Sequence, residues 1–189
     1  MSDHVPEMLM TKALSGLNLV DGGGSPATLA GQLSRTKGPT LLVFLRHFGC
    51  IFCREMLSDV RKQVESNQGF PNVLVFCQAD VQEATDFFAR HWPDATVVCD
   101  REKEFYAAME LGRGTVAQMF GPRAWACGLR AMVKGNSIGF HRIIGDPWTM
   151  PGLFLVSPVG EILWQHEFDH AGDHPDFSAL SQTFAGLMA

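Results

Sequence analysis

The sequence predicts an α/β fold with a central mixed sheet flanked by helices. Three observations carry that reading. Short runs rich in β-branched and aromatic residues alternate with stretches of helical period, the pattern of parallel strands joined by crossover helices. The runs are apolar at successive positions, as in strands buried on both faces. A late pair of runs is separated by Ser157-Pro158-Val159-Gly160, a hairpin-type turn that adds an antiparallel pair.

The elements follow in order. Thr40–Arg46, after Gly38-Pro39, reads as a buried strand, and Asn72–Cys77 and Ala95–Cys99 read as two more. Gly152–Val156 and Glu161–Trp164 form the hairpin. Between the strands, Ile51–Ser66 places Cys53, Leu57, Val60 and Val64 on one helical face. Ala79–Arg90 carries Ala84, Phe87 and Phe88, with Asp80 as its N-cap. Asp100 caps a third helix holding Phe105, Tyr106 and Met109. Asp173 or His174 followed by Pro175 opens a last helix to about Leu187, with Phe177, Leu180, Phe184 and Leu187 as its apolar stripe. Residues 113–151 are the least regular part and read as a functional loop or an embellishment near one.

Composition narrows the class. The chain has 189 residues, 46% apolar and 19% charged, with formal net charge −5, which fits a single domain over 1–189 with a core of its own. No run reaches the ~18 consecutive apolar residues of a membrane span. Met1–Val20 lacks the basic and apolar blocks of a secretory signal, so the expected location is cytoplasmic. A mildly acidic balance argues against nucleic acid as a partner.

Five cysteines occur, at 50, 53, 77, 99 and 127, an odd count unsuited to a secreted disulfide framework. Cys77 and Cys99 lie in apolar strand runs and read as small core residues; Cys127 reads the same way. Cys50 and Cys53 alone have a motif spacing, Cys50-Ile51-Phe52-Cys53, where a buried strand gives way to a helix. At a helix N-terminus the free N–H groups and the dipole favour an anion, and such a place can lower a thiol pKa to roughly 3.5–7.5. Arg46, His47 and Arg54 add positive or potentially positive charge. Cys53 also shares the face of Leu57 and Val60. The expected asymmetry is therefore one exposed attacking thiol, Cys50, and one sheltered resolving thiol. Half a zinc site is the competing reading, but a tetrahedral site needs four ligands and no second Cys-x-x-Cys exists, so no metal or other cofactor is expected.

At Phe44-Leu45-Arg46-His47-Phe48-Gly49-Cys50-Ile51-Phe52-Cys53-Arg54-Glu55 the chain resembles the peroxiredoxin-like 2 branch of the AhpC/TSA antioxidant superfamily. Cys99–Tyr106 and Gly145–Val156 with Gly160 are similar to the same group. The resemblance spans about residues 15–180 and implies a thioredoxin-like fold, here with an N-terminal extension and an insertion before the cis-proline strand. It implies reduction of a peroxide or disulfide, with turnover by a thioredoxin- or glutathione-type thiol reductant. Cys50 takes the place of the attacking cysteine and Cys53 that of its disulfide partner. Two positions depart from the peroxiredoxin pattern. His47 stands where peroxiredoxins carry a threonine, and Pro151 where they carry an arginine, as in thioredoxins, where a cis proline faces the cysteine pair. Met150–Pro151 is accordingly the expected cis bond, and Arg46 the substitute for the missing arginine. One relative in this group carries out a prostaglandin F synthase-type reduction, so a specific small organic substrate is an alternative. A non-catalytic redox-sensing module is another.

Three further features stand outside these motifs. Arg113, Arg123, Arg130, Lys134 and Arg142 lie in a stretch without acids that could attract anions, although a solvated loop is the plainer reading. His166, His170 and His174 recur at spacing four, but Gly172 and Pro175 interrupt any shared helix, so surface and capping roles are expected. Asp146, Trp125 and Trp148 could line a pocket near Pro151, with loop anchoring the plainer role for the tryptophans.

Overall fold

The computed structural model describes residues 3–20, 25–35, 38–121 and 143–187. Cys127, Trp125 and the basic residues Arg123, Arg130, Lys134 and Arg142 lie outside them. The elements are α1 (Glu7–Met10), β1 (Gly16–Leu17), α2 (Leu29–Ser34), β2 (Thr40–Phe44), α3 (Ile51–Ser66), β3 (Asn72–Cys77), α4 (Val81–His91), β4 (Val97–Cys99), α5 (Glu104–Ala108), α6 (Val116–Phe120), β5 (Gly152–Val156), β6 (Ile162–His166) and α7 (Phe177–Leu187).

The described strands form one mixed sheet in the order β1-β4-β3-β2-β5-β6. Strands β2, β3 and β4 run parallel, as the alternating strand and helix segments predict. The β5–β6 hairpin joins them with β5 antiparallel to β2, in the register Thr40↔Val156 to Phe44↔Gly152. The expected turn is present: the Gly160 N–H donates to the Ser157 carbonyl, and Gly160 adopts φ +89°, a conformation that favours glycine.

Period-two alternation divides the strand side chains between two cores. Leu41, Val43, Leu45, Val75, Cys77, Val97, Leu153 and Leu155 face α3, α4 and α7, meeting Leu57, Val60, Phe88 and Phe184. Leu42, Phe44, Leu74, Phe76, Val98 and Phe154 face the other way, against Leu9, Leu29, Leu33, Phe105 and Tyr106. Both faces of the sheet are thus covered, which is why the strands read as unbroken apolar runs.

Helix α3 has the bounds that the sequence predicts, and Asp80 caps α4 in a reciprocal capping box with Glu83. The Asp100 carboxylate accepts from the N–H groups of Glu104, Phe105 and Tyr106 and so caps α5. The last helix begins at Phe177 rather than Pro175, because Asp176 supplies the cap by accepting from the Ser178 N–H. The N-terminal extension exceeds its sequence reading: α1 and α2 cover the second core, and β1 adds an antiparallel edge to β4, with Leu17 packed on the first core. Among the described residues no helix is long and apolar enough to cross a membrane.

One expectation is corrected. Among the described residues there is no cis peptide bond, so Met150–Pro151 is trans. An X–Pro bond favours trans by about 0.5–1 kcal/mol, and the local bonding accommodates that isomer. The Met150 N–H donates to the Gly112 carbonyl, and the Thr149 carbonyl accepts from Arg46.

Tyr106 ties the second core to the strand ends. Its buried hydroxyl lies within hydrogen-bond distance of the Leu45 and Phe76 carbonyls, at the C-terminal ends of β2 and β3. Tyr106→Phe should lower stability by about 1–2 kcal/mol, since a buried acceptor loses its donor while the ring packing is kept. Urea denaturation at constant m-value checks this; an unchanged midpoint would show the hydroxyl to be dispensable.

Candidate active site

The chain leaves β2 at Phe44, runs through Leu45 and Arg46, and turns at His47–Gly49 into α3. That turn places Cys50 at the N-cap of α3, with extended backbone (φ −75°, ψ 119°). Its sulfur does what a serine or aspartate oxygen does at other helix starts, accepting from the Cys53 N–H at 3.4 Å. Cys53, one turn on, receives the Arg46 N–H on its sulfur at 3.4 Å.

Both thiols are buried, Cys50 at 5% exposure and Cys53 at 3%. The expected contrast between an exposed and a sheltered thiol is therefore corrected. Arg46, itself buried, lies against the Cys50 sulfur, and the asymmetry resides in hydrogen bonding and charge. A hydrogen bond from Cys53 is the largest influence on Cys50 and lowers its pKa to about 6. Burial works against that, while the Arg46 charge and the backbone N–H groups of Cys53 and Phe52 work with it. Cys53 is pushed well up by burial, by its donation to Cys50 and by the charge on Cys50. The pair thus holds one negative charge, on Cys50.

Arg46 is the hub. Its Nη1 lies 3.7 Å from Cys50 Sγ, its Nε donates to the Thr149 carbonyl at 2.9 Å, and its Nη2 donates to the Pro147 carbonyl. Those carbonyls belong to a turn built for the purpose. The Asp146 carboxylate accepts from the Trp148 N–H at 2.9 Å, and the Gln78 side chain accepts from the Asp146 N–H at 2.8 Å. Lys103 and Arg113 flank Asp146 at 3.2 and 3.6 Å. Although burial opposes it, Asp146 stays below the usual carboxylate range, because the Trp148 N–H and these two cations favour the anion. Gly145 bridges to His47 with φ +104°; a side chain there would meet the Arg46 carbonyl at 2.6 Å.

The remaining predicted residues divide. His47 sits in the turn between Arg46 and Cys50, but its pKa falls to about 4, through burial first and then the charges of Arg46 and Arg54. It is neutral near pH 7 and supplies no positive charge there, which corrects the expectation. Arg54 is buried on α3, and its charge is felt at His47. Met150 and Pro151 follow Thr149 and, with Phe44↔Gly152 paired, lie just beyond the β2–β5 ladder. They line a cavity of about 240 Å³ with Leu111, Gln118, Phe154 and Phe168.

His174 departs from its surface reading. Its side chain is buried and its Nε2 lies 3.1 Å from the fully buried Glu55 of α3. With Asp59 these two form the cluster whose spacing could hold a metal ion among the described residues; the 166/170/174 trio does not form one. His166 instead meets the Asp173 carbonyl at 2.9 Å. Sequence reasoning missed Gln78, Tyr106, Gly145 and Thr149. Gly145-Asp146-Pro147 carries a turn signal, but nothing in the sequence says which side chain its carbonyls would meet.

Comparisons with known proteins bear on family and fold. The family model for AhpC/TSA antioxidant enzymes matches residues 56–170, beginning just past Cys53. The chain is 24% identical to peroxiredoxin-like 2C of Bos taurus, over 92% of this chain and 78% of the relative. It is 28% identical to the prostamide/prostaglandin F synthase of Xenopus tropicalis, over 79% of this chain and 75% of the relative. Among solved structures, a cysteine-to-serine variant of peroxiredoxin Q from Xanthomonas campestris superposes with TM-score 0.64 at 14% identity, over 98% and 99% of the two chains. A thiol:disulfide interchange protein DsbE from Chlorobium tepidum superposes with TM-score 0.57 at 18% identity, over 99% and 96%. These structures share the thioredoxin-like fold.

The charge on Cys50 has a measurable sign. A thiol reacts as its thiolate, so alkylation of Cys50 should rise with pH through a midpoint near 6. In Arg46→Gln the midpoint should climb toward the ~8.5 of an ordinary thiol, with Arg46→Lys between the two. Iodoacetamide rates across pH 5–9, read by mass spectrometry of the tryptic peptide carrying Cys50 (47–54, or 38–54 in Arg46→Gln), decide it. Coincident profiles in all three proteins would remove Arg46 from the electrostatics.

Proposed function

The chain belongs to the AhpC/TSA antioxidant enzyme family, and from that premise we propose that it reduces peroxides or disulfides through a Cys50–Cys53 redox pair. The observation that carries the reading is the Cys50 sulfur held at the start of α3 under the Arg46 guanidinium, with Cys53 donating to it. Its family supports thiol-dependent oxidoreductase chemistry in general; the roles of individual residues are our reading.

With a hydroperoxide, the Cys50 thiolate attacks one oxygen, the O–O bond breaks, and the departing alkoxide or hydroxide takes up a proton. Cys50 becomes a sulfenic acid. The Cys53 sulfur then attacks the Cys50 sulfur, the S–O bond breaks, and the Cys53 proton leaves with the hydroxide as water. Two thiols have been oxidised to a disulfide and the peroxide reduced by two electrons. A thioredoxin- or glutathione-type dithiol or thiol returns those electrons. Arg46, facing the sulfur, stabilises the thiolate and the charge that develops on the departing oxygen. Burial of Cys50 favours a small hydroperoxide over a bulky protein disulfide. The cytosol, where thiol donors are kept reduced, suits this turnover.

A second reading is reduction of one small organic substrate. It is favoured by the 28% identity to a prostamide/prostaglandin F synthase and by His47, a neutral imidazole in the turn before Cys50.

Cys50→Ser should abolish turnover. Cys53→Ser should leave a sulfenic acid on Cys50, or a mixed disulfide when a thiol is supplied. Consumption of hydrogen peroxide, an alkyl hydroperoxide and a small disulfide, each with thioredoxin or glutathione as donor, reads both variants. Full activity in Cys50→Ser would remove the mechanism. Consumption of an endoperoxide alone would favour the second reading.

A further inference from the structure

The two strands beside β2 end in a second pair of thiols. Cys77 closes β3 and Cys99 closes β4, and the two are in-register partners of a parallel pair. Paired residues of neighbouring strands project to the same face at a spacing of about 4.7–4.9 Å. That falls within the roughly 4.4–6.8 Å between Cα atoms that a disulfide spans. Both side chains lie on the α3 side of the sheet, Cys77 inside that core and Cys99 packed against its rim. Both are free thiols; Cys77 is fully buried and Cys99 half-buried. The neighbouring Cys77 thiol draws Cys99 toward its thiolate, while burial and the Asp80 carboxylate oppose this. Cys77 is raised by its pairing with Cys99, by burial, by the charge on Cys99 and by Asp100. The arrangement repeats the division of labour at Cys50 and Cys53, with one thiol able to ionise and one buried beneath it.

We propose that Cys77 and Cys99 form a second redox site, a dithiol that a hydroperoxide converts to a cross-strand disulfide and that a dithiol restores. The Cys99 thiolate attacks the peroxide, the O–O bond breaks, and the departing oxygen leaves protonated as water or an alcohol. Cys77 then displaces hydroxide from the Cys99 sulfenic acid; the S–S bond forms, the S–O bond breaks, and the Cys77 proton leaves in water. One peroxide is reduced by two electrons and two thiols are oxidised. A dithiol restores the pair by thiol–disulfide exchange at the cross-strand bond.

Trypsin makes the test unambiguous. It cuts after Arg90, so Cys77 and Cys99 fall on separate peptides, 63–90 and 91–101, whereas Cys50 and Cys53 share the peptide 47–54. The full-length protein is treated with hydrogen peroxide, blocked with N-ethylmaleimide, digested without reductant and mapped by mass spectrometry. The expected result is a 63–90/91–101 cross-link that dithiothreitol dissolves and that is absent in Cys99→Ser. In Cys50→Ser/Cys53→Ser the cross-link should persist, with two of the three remaining thiols lost to maleimide. The proposal is overturned if Cys99 is oxidised alone while Cys77 stays alkylatable, if either bonds to Cys127, or if both survive peroxide that oxidises 47–54. The internal bond of peptide 47–54 is read in the same digest, so failure of one pair is distinguished from failure of the other.

Discussion

A buried guanidinium governs the active end of this molecule. Arg46 is 6% exposed, and taking such a charge out of water costs several kcal/mol unless its donors are satisfied. Two of them are satisfied by main-chain carbonyls, Thr149 and Pro147, a hundred residues away in the chain. The turn that offers those carbonyls must hold its shape, which gives Asp146, Gln78 and Gly145 their reason for being there. The third direction of the guanidinium faces Cys50. The cation needs the turn, and the thiolate profits from the cation.

The two thiols share one charge because they cannot both carry one. With Cys50 ionised, the Cys53 proton is the donor that stabilises it, and a second anion in the same core would have neither solvent nor a cation of its own. This differs from the usual picture of an exposed nucleophile and a hidden partner. Here both are hidden, and the helix start, the arginine and the neighbouring S–H decide which sulfur is the nucleophile.

Much of the fold was legible because its signals are local and repeated. The apolar runs of β2, β3 and β5, the cap at Asp80 and the glycine turn of the hairpin each rest on residues a few positions apart. The Cys50–Cys53 spacing and its place at a helix start were legible for the same reason. What escaped depends on distant contacts. The charge state of His47 follows from burial and from two arginines converging on it. The burial of His174 follows from Glu55 on α3. The trans bond at Pro151 fits a site in which the chain's approach to the thiols is made by Arg46 through the Thr149 carbonyl. The N-terminal elements are short, and their apolar residues gain meaning only against the second core.

The ends of the parallel strands present two thiol pairs in opposite electrostatic settings. At the end of β2 a guanidinium faces the sulfur; at the ends of β3 and β4 the nearby charges are carboxylates, Asp80 and Asp100. A thiolate is stabilised at the first place and opposed at the second by the same Coulomb rule. Nucleophilic reaction requires the thiolate, so an oxidant arriving at low concentration meets Cys50 before Cys99. Tyr106 ties the two places together, since its hydroxyl rests on carbonyls at the ends of both β2 and β3. A covalent bond at Cys77 would form one residue past Phe76, whose carbonyl shares that hydroxyl with Leu45, the residue before Arg46. The chemistry of the second pair is therefore mechanically adjacent to the cation on which the first depends.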